Sequence, residues 1–146
     1  MAKQPIITVK NLVKNYGDFA AVKGISFEVF EGEIFGLLGP NGAGKTTTLE
    51  IIETLRQKTS GEVTVDGFDI ENDTDNIKKR IGVQLQAAGY YPNLNLSELI
   101  ELFAGLYGVD KTPAEMLEKV ALTDKAKAKY KDLSGGQKQR FSIATT

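Results

Sequence analysis

Residues 6–9 alternate like a strand, and Tyr16-Gly17-Asp18 marks a turn after them. Residues 21–29 predict a second strand, with Gly24 as a bulge candidate and Glu31-Gly32 as its end. Ile34-Phe35-Gly36-Leu37-Leu38 has a different character. It is short and nearly continuously apolar, the pattern of a strand covered on both faces in a parallel sheet. A glycine-rich turn follows, and then a predicted helix over residues 44–56 with Leu49, Ile52 and Leu55 toward the core. Asp66-Gly67 lies between Val63-Thr64-Val65 and Phe68-Asp69-Ile70. Its residues tolerate the left-handed dihedrals of a two-residue hairpin turn. A short helix over residues 75–79 and a strand over 80–85 complete this half.

From Asn95 the pattern becomes helical. Asn95 can cap, with Glu98 as its capping-box partner, and Leu96, Leu99, Ile100, Phe103, Leu106 and Tyr107 share one helical face until Gly108. Thr112-Pro113-Ala114-Glu115 is a second start, with a cap, a first-position proline and a third-position glutamate. The lysine-rich residues 125–131 read as a solvated helix face rather than a binding patch. There are no repeats and no low-complexity tract.

Composition narrows the function classes. The 146 residues suit one domain with a real core, and a hydrophobic share of 41% is ordinary for a globular protein. A net charge of −1 gives no support to nucleic-acid binding. The chain has no cysteine, which excludes disulfides and thiolate metal sites from it, and no histidine, which excludes histidine triads, metal sites and general bases. Met1-Ala2-Lys3-Gln4-Pro5 has no apolar signal region, and no stretch approaches the roughly 20 apolar residues of a membrane span. Direct membrane insertion is therefore not expected, and membrane association would come through a partner.

The chemistry concentrates at Gly39-Pro40-Asn41-Gly42-Ala43-Gly44-Lys45-Thr46, which fits Gly-x4-Gly-Lys-Ser/Thr. Glycines let the backbone turn its N–H groups onto phosphate oxygens, and the following helix adds its positive end. Lys45 would reach the β- and γ-phosphates, Thr46 would place its hydroxyl on Mg²⁺, and Thr47 could reach the α-phosphate. A plain strand-to-helix turn is the alternative. A chance match in a chain of ordinary composition is about one in two hundred, and the flanking apolar strand and amphipathic helix supply the required context. No guanine-reading Asn-Lys-x-Asp occurs.

The second run is Leu133-Ser134-Gly135-Gly136-Gln137-Lys138-Gln139-Arg140. Physically it is a helix start: Ser134 can cap, and Gly135-Gly136 permit close approach of an anion. Taken alone, Ser134-Gly135-Gly136 fits an ordinary loop-to-helix junction better. Together the two runs resemble the ATP-binding cassette (ABC) family, whose signature reads Leu-Ser-Gly-Gly-Gln. Asn15-Tyr16-Gly17 and Ala21-Val22-Lys23-Gly24-Ile25-Ser26-Phe27 are similar to the family's N-terminal strands. The resemblance implies Tyr16 as the aromatic that stacks on adenine. Without it, Tyr16 is a strand-end aromatic. Arg80-Ile81-Gly82-Val83-Gln84-Leu85-Gln86 resembles the strand leading to the family's glutamine loop. Register favours Gln86 over Gln84 as the amide that binds Mg²⁺ or its water, and an ordinary polar loop residue is the alternative. Residues 87–106 and Thr46-Thr47-Thr48 look most like the drug and antibiotic exporter branch.

The resemblance implies an α/β fold: an incomplete P-loop NTPase (RecA-like) core with an N-terminal antiparallel β subdomain and a helical subdomain. The divisions are 1–86 for the β subdomain and partial core, 87–132 for the helical subdomain, and 133–146 for the signature and the start of its helix. It implies ATP and Mg²⁺ as cofactors, a transmembrane permease subunit and a second ATP-binding subunit as partners, and a cytoplasmic site peripheral to the membrane. Catalytic roles fall to Lys45 and Gln86, and metal contact to Thr46 and Gln86. Ser134, Gly135, Gly136 and Gln137 would contact a nucleotide held by the partner chain. The family's strand-end Asp-Glu and switch histidine have no counterpart in this sequence. The chain is therefore expected to bind nucleotide without hydrolysing it, and to leave the apolar faces of residues 34–38 and of the Leu49 helix incompletely covered, a surface that self-association would cover. A soluble ABC protein and a non-catalytic nucleotide-binding module are the alternatives to the exporter reading.

Overall fold

Two long strands flank the Gly17-Asp18 turn: β1, Pro5–Tyr16, and β2, Phe19–Phe30. They pair antiparallel in the computed structural model, which describes residues 4–84 and 89–146. Leu12 pairs with Ile25 and Val13 with Lys23, so Gly24 drops out of the ladder at φ 84, the expected bulge. β3, Ser60–Val65, pairs antiparallel with β1, and β4, Phe68–Asp69, pairs with β3, giving the order β2-β1-β3-β4. Asp66 and Gly67 take φ 50 and 78 between β3 and β4, as the hairpin reading requires. A short helix, α2, spans Thr74–Lys78.

The core under this sheet joins Val9, Leu12 and Val22 to Ile51 and Ile52 of α1, Lys45–Ile52, and to Val63, Val65, Ile70 and Ile77. The predicted helix was longer and faced the core differently. It stops at Ile52, buries Thr48, Ile51 and Ile52, and leaves Leu49 46% exposed and Leu55 exposed. Thr54 at φ 62 breaks the helical period, so Leu55 leaves the face that Ile52 occupies.

Neither the strand expected over residues 34–38, covered on both faces as in a parallel sheet, nor the strand expected over 80–85 forms among the described residues. Residues 33–40 carry no regular structure, with Ile34 101% and Leu38 92% exposed, and residues 81–84 pair with nothing in the sheet. A strand is stable only with neighbours on its ladder, and none of the described residues supplies one to either segment. Phe35 stacks on Phe27 at 5.0 Å between ring centres, and Ile81 packs against the core of the same unit. The incomplete cover expected over residues 34–38 and Leu49 is what the structure has.

These elements belong to the first of two compact units, Met1–Gly82, and the second is Val83–Thr146. The second holds α3, Leu96–Tyr107, α4, Pro113–Lys119, and α5, Gly135–Ala144. Leu96, Leu99 and Ile100 of α3 meet Leu117 of α4, Phe141 of α5, and Leu122 and Leu133 in one core. Burying each such side chain contributes about 1.5–3 kcal/mol. Tyr90 packs on Phe103, Tyr130 and Phe141 at 5.8, 4.3 and 5.2 Å, and its hydroxyl lies 2.7 Å from Thr145 Oγ1.

The lysine-rich stretch is not one helix. Two 3-10 turns, Thr123–Lys125 and Tyr130–Asp132, bracket an irregular segment. The Leu96 and Ser97 N–H groups donate to the carbonyls of Ala128 and Ala126 at 3.0 and 3.1 Å. The first turn of α3 thus claims acceptors that a continuous helix would have used itself. Lys127 and Lys131 remain exposed, as a solvated segment requires.

Candidate functional site

The phosphate loop lies between the irregular residues 33–38 and α1, with Gly42 and Gly44 both at φ 83. Gly44 occupies the cap position of α1 in a left-handed conformation with no side-chain cap. A Cβ there would lie 2.3 Å from the carbonyl oxygen of Ala21 on β2, so only glycine lets the loop seat against the sheet. The Ala43 N–H donates to the Pro40 carbonyl at 3.2 Å, closing the turn. Thr48 N–H and Oγ1 both donate to the Gly44 carbonyl, at 2.8 and 2.9 Å, fixing the first helical turn.

Lys45 folds back over the loop. Its Nζ donates to the carbonyls of Gly39 and Pro40 at 2.8 and 2.7 Å. Among the described residues it forms no ion pair with a carboxylate. Two charge-assisted bonds to neutral carbonyls thus hold its charge at the loop without a counter-ion, and an anion could take their place. Asn41, Gly42, Ala43 and Thr46 are exposed, and Thr47 is half-buried. A cavity of about 290 Å³ adjoins the loop, lined by Phe19, Val22, Lys23 and Ile25 of β2 and by Gly42 and Ala43. This cradle fits a polyphosphate: glycines at left-handed dihedrals, a helix N-terminus and an ammonium with no counter-ion among the described residues. Among the described residues no group of three or more acidic side chains could hold a metal ion by itself. The exposed Thr46 hydroxyl is an oxygen donor of the kind Mg²⁺ accepts beside phosphate oxygens and water.

Tyr16 ends β1 and is 42% exposed. Lys14 Nζ and Arg56 Cζ lie 5.0 and 5.5 Å from its ring centre. Arg56 Nε donates to Glu50 Oε2 at 2.7 Å, and this hydrogen bond leads the causes that raise the guanidinium pKa further. Burial, and then the nearby Glu50 charge, raise the Glu53 carboxyl above its ordinary range. No motif announces Arg56. It stands six residues from Glu50, outside the usual helical pair spacing, and only the turn after α1 brings them together.

In the second unit Ser134 caps α5. Its Oγ accepts from the Gln137 N–H at 3.4 Å, and Gln137 Oε1 accepts from the Ser134 N–H at 2.9 Å. Gln137 is thus part of the cap, a role that the third-position spacing could have signalled. Ser134, Gly135 and Gly136 are exposed at the helix start, and no atom lies within 4 Å of a Cβ added at either glycine. Gln86 lies outside the described residues, and Gln84 is exposed in irregular chain. No helix among the described residues is long and apolar enough to cross a membrane.

Comparison with known proteins matches residues 22–146 to the family described as ABC transporter. The chain is 43% identical over 143 residues to a linearmycin resistance ATP-binding protein of Bacillus subtilis, covering 94% of this chain and 46% of that protein. It is 36% identical over 146 residues to a probable multidrug ABC transporter ATP-binding protein of Escherichia coli, covering 97% and 25%. Among solved structures, an ATP-binding subunit of an ABC transporter superposes with TM-score 0.81 at 25% identity, over 97% of this chain and 61% of that one. The chain spans about half the length, or less, of the curated relatives it matches.

Proposed function

Because this chain belongs to the ABC transporter family of ATP-binding proteins, we propose that it binds Mg-ATP at residues 39–46 and serves as the energy-coupling subunit of an exporter. The observation that carries the reading is the phosphate loop, where Lys45 is held over Gly39 and Pro40 by two carbonyls and, among the described residues, by no carboxylate. Gly39, Asn41, Gly42 and Gly44 would present backbone N–H groups to the phosphates, Ala43 would shape the loop through its bond to the Pro40 carbonyl, and Lys45 would exchange its carbonyl partners for β- and γ-oxygens. Thr46 and Gln86 would hold the metal, and Thr47 would reach the α-phosphate. Tyr16 stacks on the base. Bound ATP supplies the phosphoanhydride bond, and Mg²⁺ neutralises charge on its oxygens.

Ser134, Gly135, Gly136 and Gln137 meet a nucleotide held by a second ATP-binding subunit, so that two chains share each ATP. The exposed cap of α5 supports this role, because its glycines leave room for an anion at a positive helix end. The remaining partner is a transmembrane permease, which would hold this subunit at the cytoplasmic face. The relatives named for linearmycin resistance and for multidrug transport support export as the direction of transport.

For the 146 residues themselves we propose binding without turnover. The sequence has no histidine to act beside the γ-phosphate as a switch or general base. Calorimetric titration with Mg-ATP beside a phosphate-release assay tests both halves. Binding is expected, with its loss in Lys45→Ala, and phosphate release should stay at background. Lys45-dependent turnover would overturn the second half, and binding indifferent to Lys45→Ala the first.

A further inference from the structure

We infer that Arg56, anchored by Glu50, is a positioning residue for the Tyr16 ring and sets how firmly the chain grips the base of a nucleotide, as distinct from its phosphates. The inference rests on the proposed role of Tyr16 as the base platform. The Arg56 guanidinium lies 5.5 Å from the ring centre, while its Nε is fixed at 2.7 Å to Glu50 Oε2. Glu50 belongs to α1, the helix that starts at the phosphate loop. Its backbone carbonyl also accepts from the N–H groups of Leu55 and Arg56, at 2.8 and 3.1 Å. One residue thereby anchors both the turn that carries the guanidinium and the guanidinium itself.

The strand end bearing Tyr16 is tied to the next stretch of the same connection. Thr59 N–H donates to the Val13 carbonyl at 2.9 Å, and Thr59 Oγ1 accepts from the Asn15 N–H at 2.9 Å. Ring and cation thus sit on backbone segments locked to each other, and Lys14 places a second cation 5.0 Å from the same ring. A cation held on an aromatic ring restricts its rotamers, and a partly exposed ring fixed in advance loses less freedom when a base stacks on it.

Titration calorimetry of the 146-residue chain with Mg-ATP and with Mg-tripolyphosphate, which has no base, separates the contributions. Arg56→Met, which keeps the apolar stem, should weaken Mg-ATP about two- to fivefold and leave tripolyphosphate unchanged. Retained tripolyphosphate binding also reports an intact phosphate loop. Arg56→Lys should recover part of the loss, Glu50→Gln should reproduce part of it, and Arg56→Met should cost nothing further in a Tyr16→Ala background. An equal loss for both ligands, or the same loss without Tyr16, overturns the inference. So does a Tyr16→Ala effect on Mg-ATP that Arg56→Met fails to share, with the base-platform reading left standing. If Tyr16→Ala leaves the ratio of the two affinities unchanged, that reading falls, and the role of Arg56 falls with it.

Discussion

Thr54 is the residue whose local chemistry fits its place least well. It is β-branched, sits at φ 62, and among the described residues its buried hydroxyl has no hydrogen-bond partner. Left-handed backbone costs a branched residue about 1–2 kcal/mol, and the unsatisfied hydroxyl adds to it. Glycine removes both penalties while adding chain entropy to the unfolded state. Thr54→Gly should therefore stabilise the first unit by a net ~1 kcal/mol, read as a higher midpoint in urea denaturation followed by circular dichroism. Gly44 is the opposite case. Gly44→Ala would drive a methyl group to 2.3 Å from the Ala21 carbonyl oxygen, and the strain should cost about 1–3 kcal/mol and abolish detectable Mg-ATP binding. Denaturation and calorimetry on the same sample check the two effects together.

At the scale of elements, the helices of the second unit each carry their own start. Asn95, Thr112 and Ser134 all close capping boxes with the residue three positions on. Asn95→Ala should cost about 1 kcal/mol in stability. Hydrogen bonds from the Thr112 backbone and then its hydroxyl hold the Glu115 carboxyl below its ordinary pKa. A lowered folded-state pKa means the cap stabilises α4 above the unfolded carboxylate range and fails as pH falls through the folded value. Helical signal should decline on acidification below that range, and Glu115→Gln should flatten the part due to this group. These starts were legible in the sequence because every group involved lies within four residues. The hairpin turn at Asp66-Gly67 was legible for the same reason. The bare apolar face of residues 34–38 was legible too, but their strand was not, because an apolar run states a need for ladder partners and forms no strand where none is supplied. The lysine-rich segment was misread because its backbone serves α3, a competition that local pattern does not carry. At the site, the loop glycines and Lys45 could be read directly. The Glu50–Arg56–Tyr16 contact could not, since it depends on how a turn places two side chains.

At the scale of the whole chain, Ile34, Phe35, Leu38 and Leu49 expose apolar surface that isolated soluble proteins seldom leave bare in one unit. The chain should self-associate with rising concentration in size-exclusion chromatography with light scattering. The double variant Ile34→Lys, Leu38→Lys should shift the mass toward 15.9 kDa. A monomer at all concentrations would contradict this. The capping boxes carry a consequence of another kind, for the order of events in folding. Helix nucleation is slow because the first turn must be fixed before any bond repays it. A side chain that closes the first turn lowers that barrier locally, and contacts between sequence neighbours form faster than distant pairings. The second unit, with α3, α4 and α5 each supplied in this way, should therefore acquire structure earlier in a refolding experiment than the sheet of the first, whose β1 must wait for β3 across more than forty residues.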